Sequence, residues 1–284
     1  MPTFTTLIDV ASLATQLENA ELALFDCRAE LGNPRWGEAQ FAESHIPGAQ
    51  FLHLERDLSS PISATSGRHP LPDPRVLAQR LGALGAGTGM QIVAYDQGNG
   101  AYAARLWWLA RWIGHARVAV LDGGLAAWRA AGLPLETTER TPRPRSLEVR
   151  LDERATVDSR SVEELRQRPD TLLVDARGAN RFAGRDETID PIAGHIPGAR
   201  NLPFTGNVGG DGKFLPAAAL RRRWQVLLGS RPPAALIAMC GSGVTACHNL
   251  LALEHAGFVG GRLYAGSWSE WIRDPRRPIA TGTY

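Results

Sequence analysis

The chain repeats itself at long range, and that repeat limits it to tandem copies of one domain. Asp26-Cys27-Arg28, followed by Phe41-Ala42-Glu43-Ser44-His45-Ile46-Pro47-Gly48-Ala49, returns as Asp175-Ala176-Arg177 followed by Ile192-Ala193-Gly194-His195-Ile196-Pro197-Gly198-Ala199. The offset is 150 at the histidines (195 minus 45) and 149 at the aspartates (175 minus 26). Downstream, Ile92-Val93-Ala94-Tyr95-Asp96 matches Leu236-Ile237-Ala238-Met239-Cys240, and Leu121-Asp122-Gly123-Gly124-Leu125-Ala126-Ala127-Trp128 matches Tyr264-Ala265-Gly266-Ser267-Trp268-Ser269-Glu270-Trp271. An ordered series at nearly constant offset and so long a period means tandem domains, not a solenoid. The 284 residues are enough for two.

Each half alternates short apolar runs with helical segments. Leu172-Leu173-Val174 reads as a buried strand ending at Asp175, and Leu236-Ile237-Ala238-Met239 as another ending at Cys240. Gly243 to Glu254 then reads as a helix with one apolar face. Strand, turn and helix in alternation predict an α/β fold with a parallel sheet in each half. The polar, proline-interrupted Thr141-Pro142-Arg143-Pro144-Arg145 reads as a linker. The expected division is a domain over 1–138, a linker over 139–153 and a second domain over 154–284.

Composition narrows the function classes. A hydrophobic fraction of 44% and a charged fraction of 21% suit a globular protein. A net charge of +2 gives no argument for nucleic acid or a membrane surface, and no stretch is apolar enough to span a bilayer. Three cysteines, Cys27, Cys240 and Cys247, form no disulfide framework, which suits a reducing, cytoplasmic setting. Met1 to Thr6 lacks a basic segment followed by a long apolar run, so no signal peptide is expected.

The chemistry concentrates in Cys240-Gly241-Ser242-Gly243-Val244-Thr245. Ligands bind at the carboxyl ends of strands in parallel sheets, and Cys240 falls at such an end. A strand-end cysteine is by default a small core hydrophobe. The glycines that follow shift the reading: backbone N–H groups of such a loop can turn inward as an anion nest, and the next helix adds its positive end. Both favour a thiolate, the nucleophilic form. Cys247, inside the helix, and Cys27, just past a strand, read as packing. No histidine pair completes a metal ligand set with these cysteines. A cysteine phosphatase would need an arginine closing the loop, but Ala246 stands there and the loop is one residue short. Gly82 to Gly89 lacks the Gly-Lys-Ser/Thr ending of a phosphate loop.

The two His-Ile-Pro-Gly-Ala segments, Arg105-Leu106-Trp107-Trp108, Leu121-Asp122-Gly123-Gly124 and the Cys240 loop together resemble the two-domain sulfurtransferases of the rhodanese family, over essentially the whole chain. The resemblance implies two tandem rhodanese-like domains, each a parallel sheet flanked by helices, with the active cysteine only in the second; Asp96 holds its place in the first. The Cys-Gly-Ser-Gly-Val loop is similar to that of 3-mercaptopyruvate sulfurtransferases, whereas thiosulfate-using members carry basic residues after the cysteine. It implies Cys240, Ser242 and His45 as catalytic residues, and Arg181 as the anchor for a donor carboxylate. A second arginine is expected a few residues on, with Arg185 the nearest. Gly241, Gly243, Val244 and Thr245 complete the binding loop through their backbones. An acid should assist His45; the chain has Trp36 there, with Glu38 and Glu43 close by. Sulfur would pass through a Cys240 persulfide to cyanide or a thiol, such as a small thiol or a thioredoxin-like protein, with no metal or organic cofactor. Two other readings stand beside this one: a thiosulfate:cyanide sulfurtransferase, and a non-catalytic sulfur carrier or regulatory binding module.

Overall fold

The computed structural model describes residues 3–283, so Met1, Pro2 and Tyr284, at the outer limits of the two expected domains, lie outside the described residues. The chain forms two compact units. The first comprises Met1–Ser60, Leu71–Asp152 and Gly210–Phe214; the second comprises Pro61–Pro70, Glu153–Gly209 and Leu215–Tyr284.

In the first unit the elements run β1 (Leu7–Ile8), α1 (Val10–Ala14), β2 (Leu22–Asp26), α2 (Trp36–Glu43), β3 (Gln50–Phe51), α3 (Pro74–Ala83), β4 (Gln91–Tyr95), α4 (Ala103–Trp112), β5 (Val118–Leu121) and α5 (Gly124–Ala130). The strands form one parallel sheet in the order β1-β5-β4-β2-β3. Every residue of β4 and β5 is buried, which is why they read as unbroken apolar runs rather than alternating ones. Leu24, Val93, Tyr95, Ala119 and Leu121 meet Ile8, Leu13, Phe41, Ile46 and Trp128 in one core cluster. Of residues 139–153, expected as a linker, those up to Asp152 belong to this unit and are hydrogen-bonded to it: Arg145 N donates to Gly82 O, Arg150 N to Ile113 O and Asp152 N to Trp112 O.

The second unit runs α6 (Ser159–Leu165), β6 (Leu172–Asp175), α7 (Ala179–Phe182), β7 (Arg200–Asn201), α8 (Ala217–Leu228), β8 (Leu236–Met239), α9 (Thr245–His255), β9 (Arg262–Leu263) and α10 (Ser267–Trp271). Its parallel sheet has the order β7-β6-β8-β9, the first sheet without β1. A single parallel bridge, Thr156 to Leu263, stands where β1 pairs with β5 in the first unit. Leu173, Ile237, Met239, Phe182, Ile196, Trp268 and Trp271 form its core cluster.

The repeated motifs explain themselves as structure. Arg28 folds back on Asp26, and its guanidinium donates to Gln40 O and Ser44 O, pinning the chain ahead of His45. Arg177 does the same with Asp175 and Gly194 O, ahead of His195. Each histidine bonds through Nδ1 to a phenylalanine carbonyl, Phe41 O at 2.8 Å and Phe182 O at 2.7 Å, and stacks on that same phenylalanine ring. Its backbone pairs with a later segment, His45 with Glu136 and His195 with Ala280.

Candidate active site

Cys240 follows the last residue of β8, and α9 starts five positions on at Thr245 (245 minus 240). The turn between them needs glycine. Gly243 has φ +78°, and a Cβ there would stand 2.4 Å from Ala265 O, so an L side chain is excluded by conformation and by space. The turn brings Gly243 N–H to Cys240 Sγ, N to S 3.1 Å. Cys240 N donates to Ser267 Oγ, while Trp268 N and Ser269 N donate to Cys240 O and Gly241 O, tying the loop to the start of α10. Ser267 adopts φ +55° in that tie. Cys240 itself is 2% exposed.

The first unit holds the matching loop with a different occupant, and there the helix starts seven positions on, at Ala103 (103 minus 96). Asp96 follows β4, and its carboxylate accepts from Gly98 N and Gly100 N through Oδ1 and from Tyr102 N and Ala103 N through Oδ2, at 2.9–3.2 Å. The repeat therefore builds an anion nest, and in the first copy the chain fills it with its own carboxylate. In the second copy the corresponding residue is Cys240. There the N–H groups of Gly241, Ser242, Val244 and Thr245 find no acceptor among the described residues. Buried N–H groups at a helix N-terminus call for a partner, and the one this geometry selects is anionic.

The other two thiols are set differently. Cys27 is fully enclosed, and burial pushes its pKa well above the ordinary thiol value, with the charge of Asp26 adding to the shift. Cys247 donates from Sγ to Gly243 O, one turn back along α9. All three cysteines are free.

Two arginines stand over the loop. A Cβ on Gly241 would lie 2.9 Å from Arg68 Nη2 and 3.6 Å from Arg181 Nη2. Arg181 lies in the last turn of α7 and donates from Nε to both oxygens of Glu187. Arg68 is held by its backbone: Arg68 N donates to Ser269 Oγ, and Gly67 packs so tightly on Gly266 O that only glycine fits. Burial pushes the Arg68 guanidinium below its ordinary value. The sequence expectation named Arg185 as the second arginine. Its side chain is exposed and makes no hydrogen bond or ion pair among the described residues. The residues on either side, Gly184 (φ +78°) and Asp186 (φ +50°), both have positive φ.

Ser242 is buried, and its Oγ lies 2.8 Å from His69 Nδ1. The sequence expectation named His45 for this role. His45 belongs to the first unit, where its Nδ1 is bonded to Phe41 O and its ring is stacked on Phe41. Its Nε2 lies 3.8 Å from Glu136. The two acids near the expected relay position go elsewhere: Glu38 pairs with Arg56, and Glu43 accepts from Gln40.

Arg68 and His69 escaped the sequence reading because they have no counterpart in the repeat. The signal was present in the offset. It drops from 150 at the histidines to 144 at Asp96 and Cys240 (240 minus 96), so the first copy carries extra residues between these landmarks. Residues 61–70 lie in that interval yet belong to the second unit.

A cavity of about 490 Å³ opens beside this cluster, lined in part by Arg68, Asp190, Ser269 and Arg273, but Cys240 does not line it. Among the described residues no group of three or more His, Cys, Asp or Glu side chains could hold a metal ion, and no helix is long and apolar enough to cross a membrane.

Two parallel-sheet units, with a cysteine in one nest and a carboxylate in the other, define a duplicated domain. The model of the rhodanese-like domain matches the chain twice, over residues 9–131 and 158–274. The chain belongs to the rhodanese family. It is 51% identical over 278 residues to a probable 3-mercaptopyruvate sulfurtransferase of Pseudomonas aeruginosa, covering 97% of this chain and 98% of that protein. It is 37% identical over 286 residues to a putative thiosulfate sulfurtransferase of Mycobacterium tuberculosis, covering 98% and 97%. Among solved structures it resembles the 3-mercaptopyruvate sulfurtransferase of Escherichia coli, with a TM-score of 0.82, 31% identity, and 94% of this chain and 100% of that one covered.

Proposed function

We propose that the protein is a sulfurtransferase that takes sulfur from 3-mercaptopyruvate and passes it, through a persulfide on Cys240, to a thiol acceptor. The observation that carries the reading is the pair of nests. The N–H groups that Asp96 satisfies in the first copy are offered, in the second, around a cysteine sulfur. A persulfide anion needs the same donors as a carboxylate.

The Cys240 thiolate attacks the donor sulfur. The new S–S bond forms as the donor C–S bond breaks, and that electron pair goes to carbon, giving pyruvate enolate. The enolate takes a proton, for which Ser242 Oγ with His69 is the nearest relay. Loop N–H groups hold the persulfide, and an acceptor thiolate then removes the outer sulfur and restores Cys240, a ping-pong cycle. Arg68 and Arg181, both beside Gly241, are the groups suited to the donor carboxylate. The cycle needs no redox cofactor or metal, because every step moves an electron pair between sulfur and carbon or sulfur and sulfur.

A small thiol or a thioredoxin-like protein is the expected acceptor, and three free, buried cysteines suit a reducing cytoplasm. Thiosulfate as donor is the second reading, supported by the name of the Mycobacterium relative.

The test is intact-mass measurement after exposure to 3-mercaptopyruvate, followed by a thiol chase. The wild type should gain one sulfur atom and lose it in the chase with multiple turnovers, and Cys240→Ser should gain none. Sulfur uptake by Cys240→Ser would overturn the mechanism. Loading without turnover would make the protein a carrier.

A further inference from the structure

The charged groups beside the Cys240 loop form an alternating row. Asp175 pairs with Arg177, Arg177 with Glu187, Glu187 with Arg181, Arg181 with Asp190, and Asp190 with Arg68. Three carboxylates and three guanidiniums sum to zero. Arg177, with its side chain 1% exposed, and Asp175, with its side chain fully buried, are structural, since the same pair recurs as Arg28 and Asp26 in the first unit. The other four, Glu187, Arg181, Asp190 and Arg68, are not repeated. Asp190, its side chain 1% exposed, puts Oδ1 on Arg68 and Oδ2 on Arg181, so one buried carboxylate bridges the two arginines that face Gly241.

We infer that Asp190 is a charge-setting residue that tunes this site to monoanionic donors and against dianionic ones. The inference rests on the sulfur-transfer reading of Cys240. A bare pair of guanidiniums over the nest would favour the donor of higher charge. With Asp190 ionised between them, the row is neutral, and a second negative charge on the donor finds no uncompensated cation within it. 3-Mercaptopyruvate with its thiol protonated carries one negative charge, and thiosulfate carries two. Asp190 thereby helps to choose the donor without touching it, acting through Arg68 and Arg181. The loop itself adds no charge, because Gly241 and Ser242 follow the cysteine.

The test is Asp190→Asn, which keeps a hydrogen-bonding side chain of the same shape and makes the row +1. A dianion gains one unit of attraction more than a monoanion does. The ratio of kcat/KM for thiosulfate to that for 3-mercaptopyruvate should therefore rise about tenfold, which corresponds to about 1.4 kcal/mol. A second readout needs no donor. The ratio of Cys240 alkylation rates by iodoacetate, an anion, and iodoacetamide, which is neutral, should rise by a similar factor, because these reagents also differ by one charge. Asp190→Glu keeps the charge and should leave both ratios near wild type even where absolute rates fall. If Asp190 only positions the arginines, Asp190→Asn lowers all rates together with both ratios unmoved, and the inference is overturned. A shifted alkylation ratio in a protein that turns over neither donor would uphold the charge role and instead sink the donor assignment.

Discussion

Gly243→Ala tests whether the cradle around Cys240 is built by backbone conformation. Two costs can be separated. An L residue held at φ +78° loses about 1–2 kcal/mol relative to glycine. The added Cβ would also stand 2.4 Å from Ala265 O, a backbone atom of a segment tied down by α10, so the loop must shift instead of the neighbour. Forcing extra volume into a packed site costs about 1–3 kcal/mol. The expected loss of stability is about 2–5 kcal/mol in a urea melt. Gly212→Ala is the internal control: φ is +76° and nothing lies within 4 Å, so only the conformational part, about 1–2 kcal/mol, should appear. Catalysis responds to a different quantity. Shifting the loop breaks the Gly243 N–H contact to Cys240 Sγ, and a hydrogen bond to a charged group is worth about 1.5–3 kcal/mol, so the rate of persulfide formation should fall about 10- to 100-fold in molecules that remain folded. The assay is single-turnover loading with 3-mercaptopyruvate, read by intact mass, below the unfolding transition. If Gly243→Ala loads within twofold of wild type and melts like Gly212→Ala, the cradle argument is wrong.

Other consequences follow from the same contacts. Ser242→Ala removes the hydroxyl that meets His69 and should lower kcat/KM for 3-mercaptopyruvate about 100-fold, while iodoacetamide still alkylates Cys240 at the wild-type rate; equal losses in both would point to disrupted packing instead of a proton relay. Arg28→Leu leaves the buried Asp26 carboxylate without its cation and should cost about 3–5 kcal/mol in the same urea melt, against near-zero for the exposed Arg276→Leu. Burial pushes the pKa of His195 and of His115 below 6.5, so the folded state prefers the neutral rings. Below pH 6.5 the unfolded chain binds the more protons, so this part of the stability is present above that value and is lost as pH falls through it; urea midpoints should decline on acidification, less so in His195→Asn, and an identical slope in the variant would refute the assignment.

Much of the architecture was legible because it is written twice. The apolar runs that became β4, β6 and β8 are buried on both faces, so they show as continuous hydrophobic stretches, and the glycines after Cys240 announce the turn that Gly243 makes at φ +78°. The Asp-X-Arg and His-Ile-Pro-Gly-Ala motifs were equally visible, but pattern could not separate scaffold from site. His45 and His195 hold the same bond and the same ring stack in both copies, contacts that account for the repeated motif as structure.

Sequence alone determined the duplication, the parallel α/β class and the strand-turn-helix loop that holds Cys240, because each depends on residues close together in the chain: a strand, its turn and the next helix. Tertiary structure decided which distant groups surround that thiol. Arg68 and His69 reach the loop from residues 61–70, more than 170 positions upstream of Cys240 (240 minus 69 is 171), and Asp190 completes the charge balance from a third segment. Local pattern carries no record of such meetings. They arise when Gly67 closes on Gly266 and Arg68 N finds Ser269 Oγ, contacts that exist only after the chain has packed.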